Sequence, residues 1–334
     1  MFFIHHRKLF YVLIGLLAAT SLGALMVWGV TFGIDFTGGT LVEVSYPDGR
    51  PDKQILAQRL NPLDIGNYSL RPSGEEGYFL RTRGLDEAEY KQVREALSVP
   101  GTNLVEDRLT TVGPVIGEEL KNKAFVAIAV VVLLIILYVA FAFRNVRKGE
   151  DEDAPGVSSW VYGFTSIFVL AHDLLIPLGM FAFLGKFAGA EVDVLIVMAL
   201  LTILGYSVND TIVIFDRVRE NLKKNEEDRA VESFSKTVGR SLSQTYARSI
   251  NTSFTTLLVV LALLVFGGST TIYFALTLAA GIFAGTYSSL ALAAPLLVTI
   301  EARQHQKRTQ HMENTSVTDT APEVRKKKKK KKKR

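Results

Sequence analysis

The chain has 334 residues, 48% of them hydrophobic and 21% charged, with no cysteine and a formal net charge of +5. Without cysteine, disulfide frameworks, thiolate metal sites and thiol nucleophiles are excluded. The ten residues Arg325 to Arg334 are all basic; without them 28 Lys and Arg stand against 33 Asp and Glu, so the body is mildly acidic, and its apolar residues fall in long runs that exclude a soluble enzyme.

A bilayer core about 30 Å thick is crossed by about 20 mainly apolar helical residues. The first such run, Leu9 to Val30, follows His5, His6, Arg7 and Lys8. It is too long for a signal peptide and lacks a small-residue cleavage site, so it is expected to stay as a span. Residues 31–123 are polar and predict a small α+β domain. Its strands are expected near Thr40 to Tyr46, Tyr68 to Arg71, Tyr78 to Arg83 and Asn103 to Thr111, and its helices over Asp52 to Leu60 and Asp86 to Ser98. The signals are alternation in Leu41 to Tyr46, turn chemistry at Pro47-Asp48-Gly49 and helical spacing of Ala88, Val93, Ala96 and Leu97. A βαββαβ order of this kind is ferredoxin-like. It holds no nucleophile, metal-ligand or phosphate-loop pattern, which points to binding or mechanical coupling.

Five further runs follow: Ala124 to Phe143, Trp160 to Leu184, Val192 to Phe215, Ile250 to Phe266 and Ile272 to Ile300. The expected fold is therefore an α-helical polytopic membrane protein with six transmembrane helices and one extracytoplasmic domain inserted between the first and second. The expected division is 1–30 (N-terminus and first helix), 31–123 (external domain), 124–300 (five-helix bundle) and 301–334 (a disordered basic tail). Orientation follows from Arg217, Arg219, Lys223, Lys224, Arg229, Lys236, Arg240 and Arg248 on one side, against Lys186 alone between the third and fourth runs. Basic residues stay cytoplasmic, which places both termini in the cytoplasm. Near 229–246, Val231, Phe234, Val238, Leu242 and Tyr246 form one apolar stripe, expected on an amphipathic helix along the membrane surface or against the bundle. Lys326 to Lys333 form a single-sign run, read either as a solvated tail or as a contact for anionic lipid or the ribosome.

An ionisable group at mid-membrane costs about 2.5 to 3.5 kcal/mol on insertion scales, so each one needs a partner or a use. His172 and Asp173 lie near the middle of the third run, and Asn209 and Asp210 lie in the fourth. Arg248 opens the fifth. Asp210 is about 9 Å from the boundary at Asp216 by helical rise, and Arg248 enters from that side, so the two are expected to meet. Such a pair has the chemistry of a proton relay, or of helix registration alone; His172 reads equally as a packing hydrogen bond. An aspartic dyad of Asp173 and Asp210 is disfavoured by their different depths. Gly281 and Gly285, and Gly15, Gly23 and Gly29 in the first run, suggest close helix packing. Gly33, Gly38 and Gly39 predict a tight turn into the first strand.

The segments Gly33-Ile34-Asp35-Phe36-Thr37-Gly38-Gly39, Gly205-Tyr206-Ser207-Val208-Asn209-Asp210-Thr211 and Phe215-Asp216-Arg217-Val218-Arg219-Glu220-Asn221 resemble the smaller subunits of the SecD/SecF protein-export family, in the resistance-nodulation-division superfamily. So do Leu109 to Pro114, Ala171-His172-Asp173 and Ser243-Gln244-Thr245 before Arg248. The resemblance runs over about residues 5–300. It implies a bacterial inner-membrane subunit that pairs with SecD, associates with the SecYEG channel and YajC, and acts on unfolded exported polypeptide amid membrane lipids. The proton gradient would supply the energy, with no cofactor and no specific nucleic acid. The family's proton pathway maps onto Asp210 and Arg248, with Asn209, Asp173 and His172 beside them. An exporter of small molecules or lipids from the same superfamily is the alternative.

Overall fold

The computed structural model describes residues 2–143, 157–230, 232–268 and 271–319. Val231 of the apolar stripe and the run Lys326 to Lys333 lie outside the described residues. Helix α1 (Phe2–His5) leads into α2 (Arg7–Trp28), the first of six helices long and apolar enough to cross a membrane. A short α3 (Ile34–Thr37) then precedes β1 (Gly39–Ser45), α4 (Lys53–Leu60), β2 (Ser69–Ser73), β3 (Gly77–Thr82), α5 (Glu87–Leu97) and β4 (Val105–Val112). The sheet order is β2-β3-β1-β4, with every neighbouring pair antiparallel. This is the βαββαβ sequence of elements expected from the alternation and turn signals.

Residue chemistry accounts for the local choices in this domain. Val42, Val44 and Tyr46 point to one face of β1 and are buried with Leu56, Leu60, Leu80, Val93 and Leu97. The Tyr46 hydroxyl donates to the Leu97 carbonyl at 2.9 Å, and burial pushes this phenol up to about 12. Asp52 caps α4 by accepting from the Gln54 amide, while Asp86 and Glu89 exchange side-chain and backbone bonds in a capping box on α5. Gly38 and Gly39 adopt φ of 72° and 133°. A Cβ on Gly39 would stand 2.6 Å from the Thr82 carbonyl oxygen, so only glycine makes this entry to β1.

The bundle comprises α6 (Pro114–Ala142), α7 (Ser159–Phe187), α8 (Val194–Glu227), α9 (Phe234–Phe266) and α10 (Ile272–Ser288). A buried π-helical turn, Ser289–Ala293, joins α10 to α11 (Ala294–Asp319). The stripe helix takes the second of its two expected places, against the bundle: it is the first half of α9, continuous with the fifth span because neither Gly nor Pro interrupts Tyr246 to Ile250. Its Phe234, Val238 and Leu242 are buried beside Phe215 and Val218 of α8, whereas Tyr246 is exposed. One expectation is corrected here: residues 301–319 belong to helix α11 rather than to a disordered tail. Polarity without periodicity removes a packing face, yet the strong helix formers Glu301, Ala302, Arg303, Gln304 and Gln306 extend the span.

Small residues set the closest helix approaches. A Cβ on Gly281 would lie 2.2 Å from Ile203 Cδ1, and one on Gly285 would lie 3.1 Å from Ser207 Cβ, so α10 rests directly on α8. Gly15 and Gly23 have nothing within 4 Å; α2 instead meets α7 through Ser21 on Gly179.

The sheet domain is fastened to the linker between α7 and α8. Glu191 receives Arg71 at 3.2 Å and Arg81 at 2.9 Å. Arg71 also donates to the Gly189 carbonyl, and Arg81 to the Phe32 carbonyl and the Thr37 hydroxyl. Phe32 and Val192 form a parallel bridge, with the Val192 amide bonded to the Thr31 carbonyl at 2.7 Å. The N-terminus of α8 is held by two carboxylates, Asp35 accepting from the Val194 amide and Asp193 from the Ile196 amide. Burial, with the nearby Asp35 carboxylate adding to it, raises Asp193 above the ordinary carboxylate range despite the Ile196 amide.

Two outcomes follow from this packing. Gly281→Ala forces Ile203 aside and is expected to destabilise the bundle by about 1 to 3 kcal/mol, while Gly15→Ala is expected to lower nothing; thermal unfolding in detergent reads both. Glu191→Gln leaves two guanidinium groups without their shared anion, and a loss of about 1 to 2 kcal/mol would speed hydrogen exchange in β2 and β3 by about fivefold to thirtyfold. Exchange in the hairpin of α8 and α9 should stay unchanged.

Candidate functional site

At the centre of the bundle, α7 places His172 and Asp173 fourteen and fifteen residues into its 29. Asp173 is 1% exposed, and three donors converge on it. His172 Nδ1 lies 2.9 Å from Oδ1, Ser288 donates to Oδ2 at 2.9 Å, and Ser207 donates to the same oxygen. The Tyr287 hydroxyl lies 3.2 Å from His172 Nε2. Three helices, α7, α8 and α10, thus meet at one carboxylate.

Asp210 occupies the seventeenth position of the 34-residue α8 and is also buried. Its Oδ1 accepts from Ser249 of α9 at 2.6 Å. Its Oδ2 is buried and makes no hydrogen bond among the described residues. The hydroxyl set continues on α9 and α10: Ser253 accepts from Tyr206 at 2.8 Å and from Thr286 at 2.7 Å, and donates to the Ser249 carbonyl. Thr211 of α8 and Ser289 pair at 2.9 Å.

The structure separates the residues expected to act together. Arg248 is exposed and forms no ion pair with Asp210; the next residue along α9, Ser249, makes the contact. Asn209 is exposed together with Thr202 and Gly205, on the side of α8 that faces away from the bundle. Asp173 and Asp210 bond to different serines and share no hydrogen bond, which is not the geometry of an aspartic dyad. Sequence reasoning missed Ser207, Ser249, Tyr287 and Ser288 as partners. The signal was available in Ser207, Asp210 and Thr211, which lie three and four residues apart on one helix face. Among the described residues, no group of three His, Asp or Glu side chains is arranged to hold a metal ion.

Comparison with known proteins matches these elements to one family. The model of the protein export membrane protein SecD/SecF C-terminal region covers residues 92–149 and 157–303, and the SecD/SecF GG motif covers residues 24–46. The protein translocase subunit SecF of Thermobaculum terrenum is 39% identical over 306 residues, spanning 88% of this chain and 92% of that protein. The SecF of Calditerrivibrio nitroreducens is 33% identical over 307 residues, spanning 90% and 94%. The crystal structure of SecDF from Thermus thermophilus, described as a translocon-associated membrane protein, matches with a TM-score of 0.77 at 32% identity. That match covers 90% of this chain but 39% of the SecDF chain, so this chain spans about two fifths of that protein. With the glycine turn at Gly38-Gly39 and helices α6 to α10, the Asp210-bearing α8 among them, inside the matched regions, the chain belongs to the SecD/SecF family of protein-export membrane proteins.

Proposed function

We propose that this chain is the smaller membrane subunit of a SecD/SecF-type complex that uses a proton gradient to promote protein translocation, and that Asp210 carries the proton. The observation behind this reading is the environment of Asp210, with one carboxylate oxygen held by Ser249 and the other buried without a hydrogen bond. A buried, half-satisfied carboxylate is relieved by a proton. Neutralising it weakens the hold on Ser249 and changes how α9 sits on α8. Moving one elementary charge through 100 mV is worth about 2.3 kcal/mol, enough to shift a two-state population by more than tenfold. No covalent chemistry is needed, so the reading is of a translocation subunit rather than an enzyme. Arg248 serves as an exposed cation at the edge of the site, and Asn209 faces outward toward the partner.

The relatives' names and the two-fifths coverage of SecDF support a SecD-type partner. The same reading takes a SecYEG channel and YajC as neighbours and an unfolded exported polypeptide as client. The sheet domain, inserted between the first and second spans, stands outside a bacterial inner membrane with both termini in the cytoplasm. The eight basic residues between Arg217 and Arg248 support that orientation.

Two measurements test the proposal. Cysteines introduced at Asp52 and Glu87 of this Cys-free chain should react with an impermeant reagent added outside intact cells, whereas one at Lys224 should not; labelling at 224 inverts the topology. In membrane vesicles at equal expression, Asp210→Asn, a permanent mimic of the protonated form, should abolish gradient-driven export while leaving partner binding intact. Wild-type export by that variant would make Asp210 structural.

A further inference from the structure

The start of the first span carries a groove that the proposed function leaves unused. Its volume is about 790 Å³, within the range of ligand sites, and four successive basic residues line it, His5, His6, Arg7 and Lys8. Phe2 and Leu9 add apolar surface, and Ser235 in the first turn of α9 adds a hydroxyl. Among the described residues, no acidic side chain lines it. The groove is held in shape from behind. Ile4 is buried in the bundle core with Phe3 and Phe10 packed there, their rings 5.2 Å apart. His6 Nδ1 donates to the Phe2 carbonyl at 3.1 Å, and the Phe2 ring meets Phe10 edge-on at 5.9 Å.

Two observations identify what covers this groove. The first is charge. In the hairpin of α8 and α9 the basic residues have acidic partners: Arg217 has Glu220 at 2.9 Å, Lys223 has Glu227 at 3.6 Å and Arg240 has Glu232 at 3.0 Å. Arg7 and Lys8 have no such partner among the described residues, and the first acidic residue of the chain is Asp35, at the other end of the span. The second is what the groove leads into. Leu9, Val12, Leu13 and Leu16 are all exposed on one face of α2, so an apolar track starts in the groove and continues along the span. The matching ligand is anionic at its head and apolar along its length.

We infer that the groove binds one anionic phospholipid, its phosphate against Arg7 and Lys8 and an acyl chain along Leu9 to Leu16. The leaflet rests on the orientation proposed above: with the N-terminus in the cytoplasm, the groove opens on the inner membrane surface, where basic residues next to a span attract anionic headgroups. A zwitterionic lipid would bring an ammonium group in among four basic side chains, so the groove selects for net negative charge.

The test is native mass spectrometry of the full chain, delipidated in detergent and then given equal amounts of phosphatidylglycerol and phosphatidylcholine with the same acyl chains. One phosphatidylglycerol should be retained in preference to phosphatidylcholine. Arg7→Gln and Lys8→Gln should each weaken that retention by about fivefold, and together by about thirtyfold. Lys223→Gln combined with Lys224→Gln removes the same charge away from the groove and should leave retention unchanged. Ser235→Trp fills the groove while keeping all four basic residues and should weaken retention too, so the test survives if the charge variants fail to fold. Equal retention of the two lipids, or equal losses in the two double variants, would overturn the assignment. So would glycerol phosphate competing as well as the whole lipid, which makes the site one for free phosphate, or displacement of the lipid by an added SecD-type subunit, which puts a protein surface there. The readout needs neither export nor a defined orientation, so its failure leaves the topology and the role of Asp210 standing. Labelling at position 224 would move the groove to the other leaflet and leave its lipid preference intact.

Discussion

Polar side chains inside a membrane bundle have no water to fall back on, so each must find its partner on a neighbouring helix. In this chain the partners are hydroxyls. Ser207 and Ser288 serve Asp173, Ser249 serves Asp210, and Ser253 takes bonds from Tyr206 and Thr286. Hydroxyls both donate and accept, and they are small enough to let helices approach closely. Gly285 on α10 provides that approach directly opposite Ser207. The same few residues thus hold the carboxylates and fix the spacing of α7, α8 and α10.

That constraint explains what the sequence disclosed and what it withheld. Hydropathy located six spans because length and apolarity are one-dimensional properties. The βαββαβ domain was legible for a similar reason: alternation, turn residues and caps such as Asp86 with Glu89 are local. The partner of Asp210 was not legible. Depth along a helix follows from counting residues, but direction around it changes by about 100° per residue. Arg248 and Ser249 share nearly the same depth, and only the azimuth decides that the serine reaches the carboxylate while the arginine is exposed. The continuity of α9 was hidden too, since a stripe of apolar residues describes a face without saying where its helix ends.

Helix α8 connects the parts of the molecule. Its 34 residues extend about 51 Å as one helix. One end is held by Asp35 and Asp193 beside the Glu191 clamp on the sheet domain. The middle bears Ser207 and Asp210. At the other end, Asn221 donates to Ser241 and Gln244, and Asn225 accepts from Arg240, binding α8 to the start of α9. A change at either carboxylate therefore acts on a rigid rod whose far ends are tied to different structures.

The π-helical turn at Ser289–Ala293 amounts to one residue inserted into an otherwise continuous helix. It lets Ser288 and Ser289 face α7 and α8 while Leu297 and Val298, two or more turns later, still face the core. A chain one residue shorter in this segment would relax to plain α-helix and turn everything downstream by about 100°. Among descendants of this gene, substitutions among small residues in 289–293 are therefore tolerable in principle, whereas a single deletion or insertion there would break the register of the last span against the rest of the bundle.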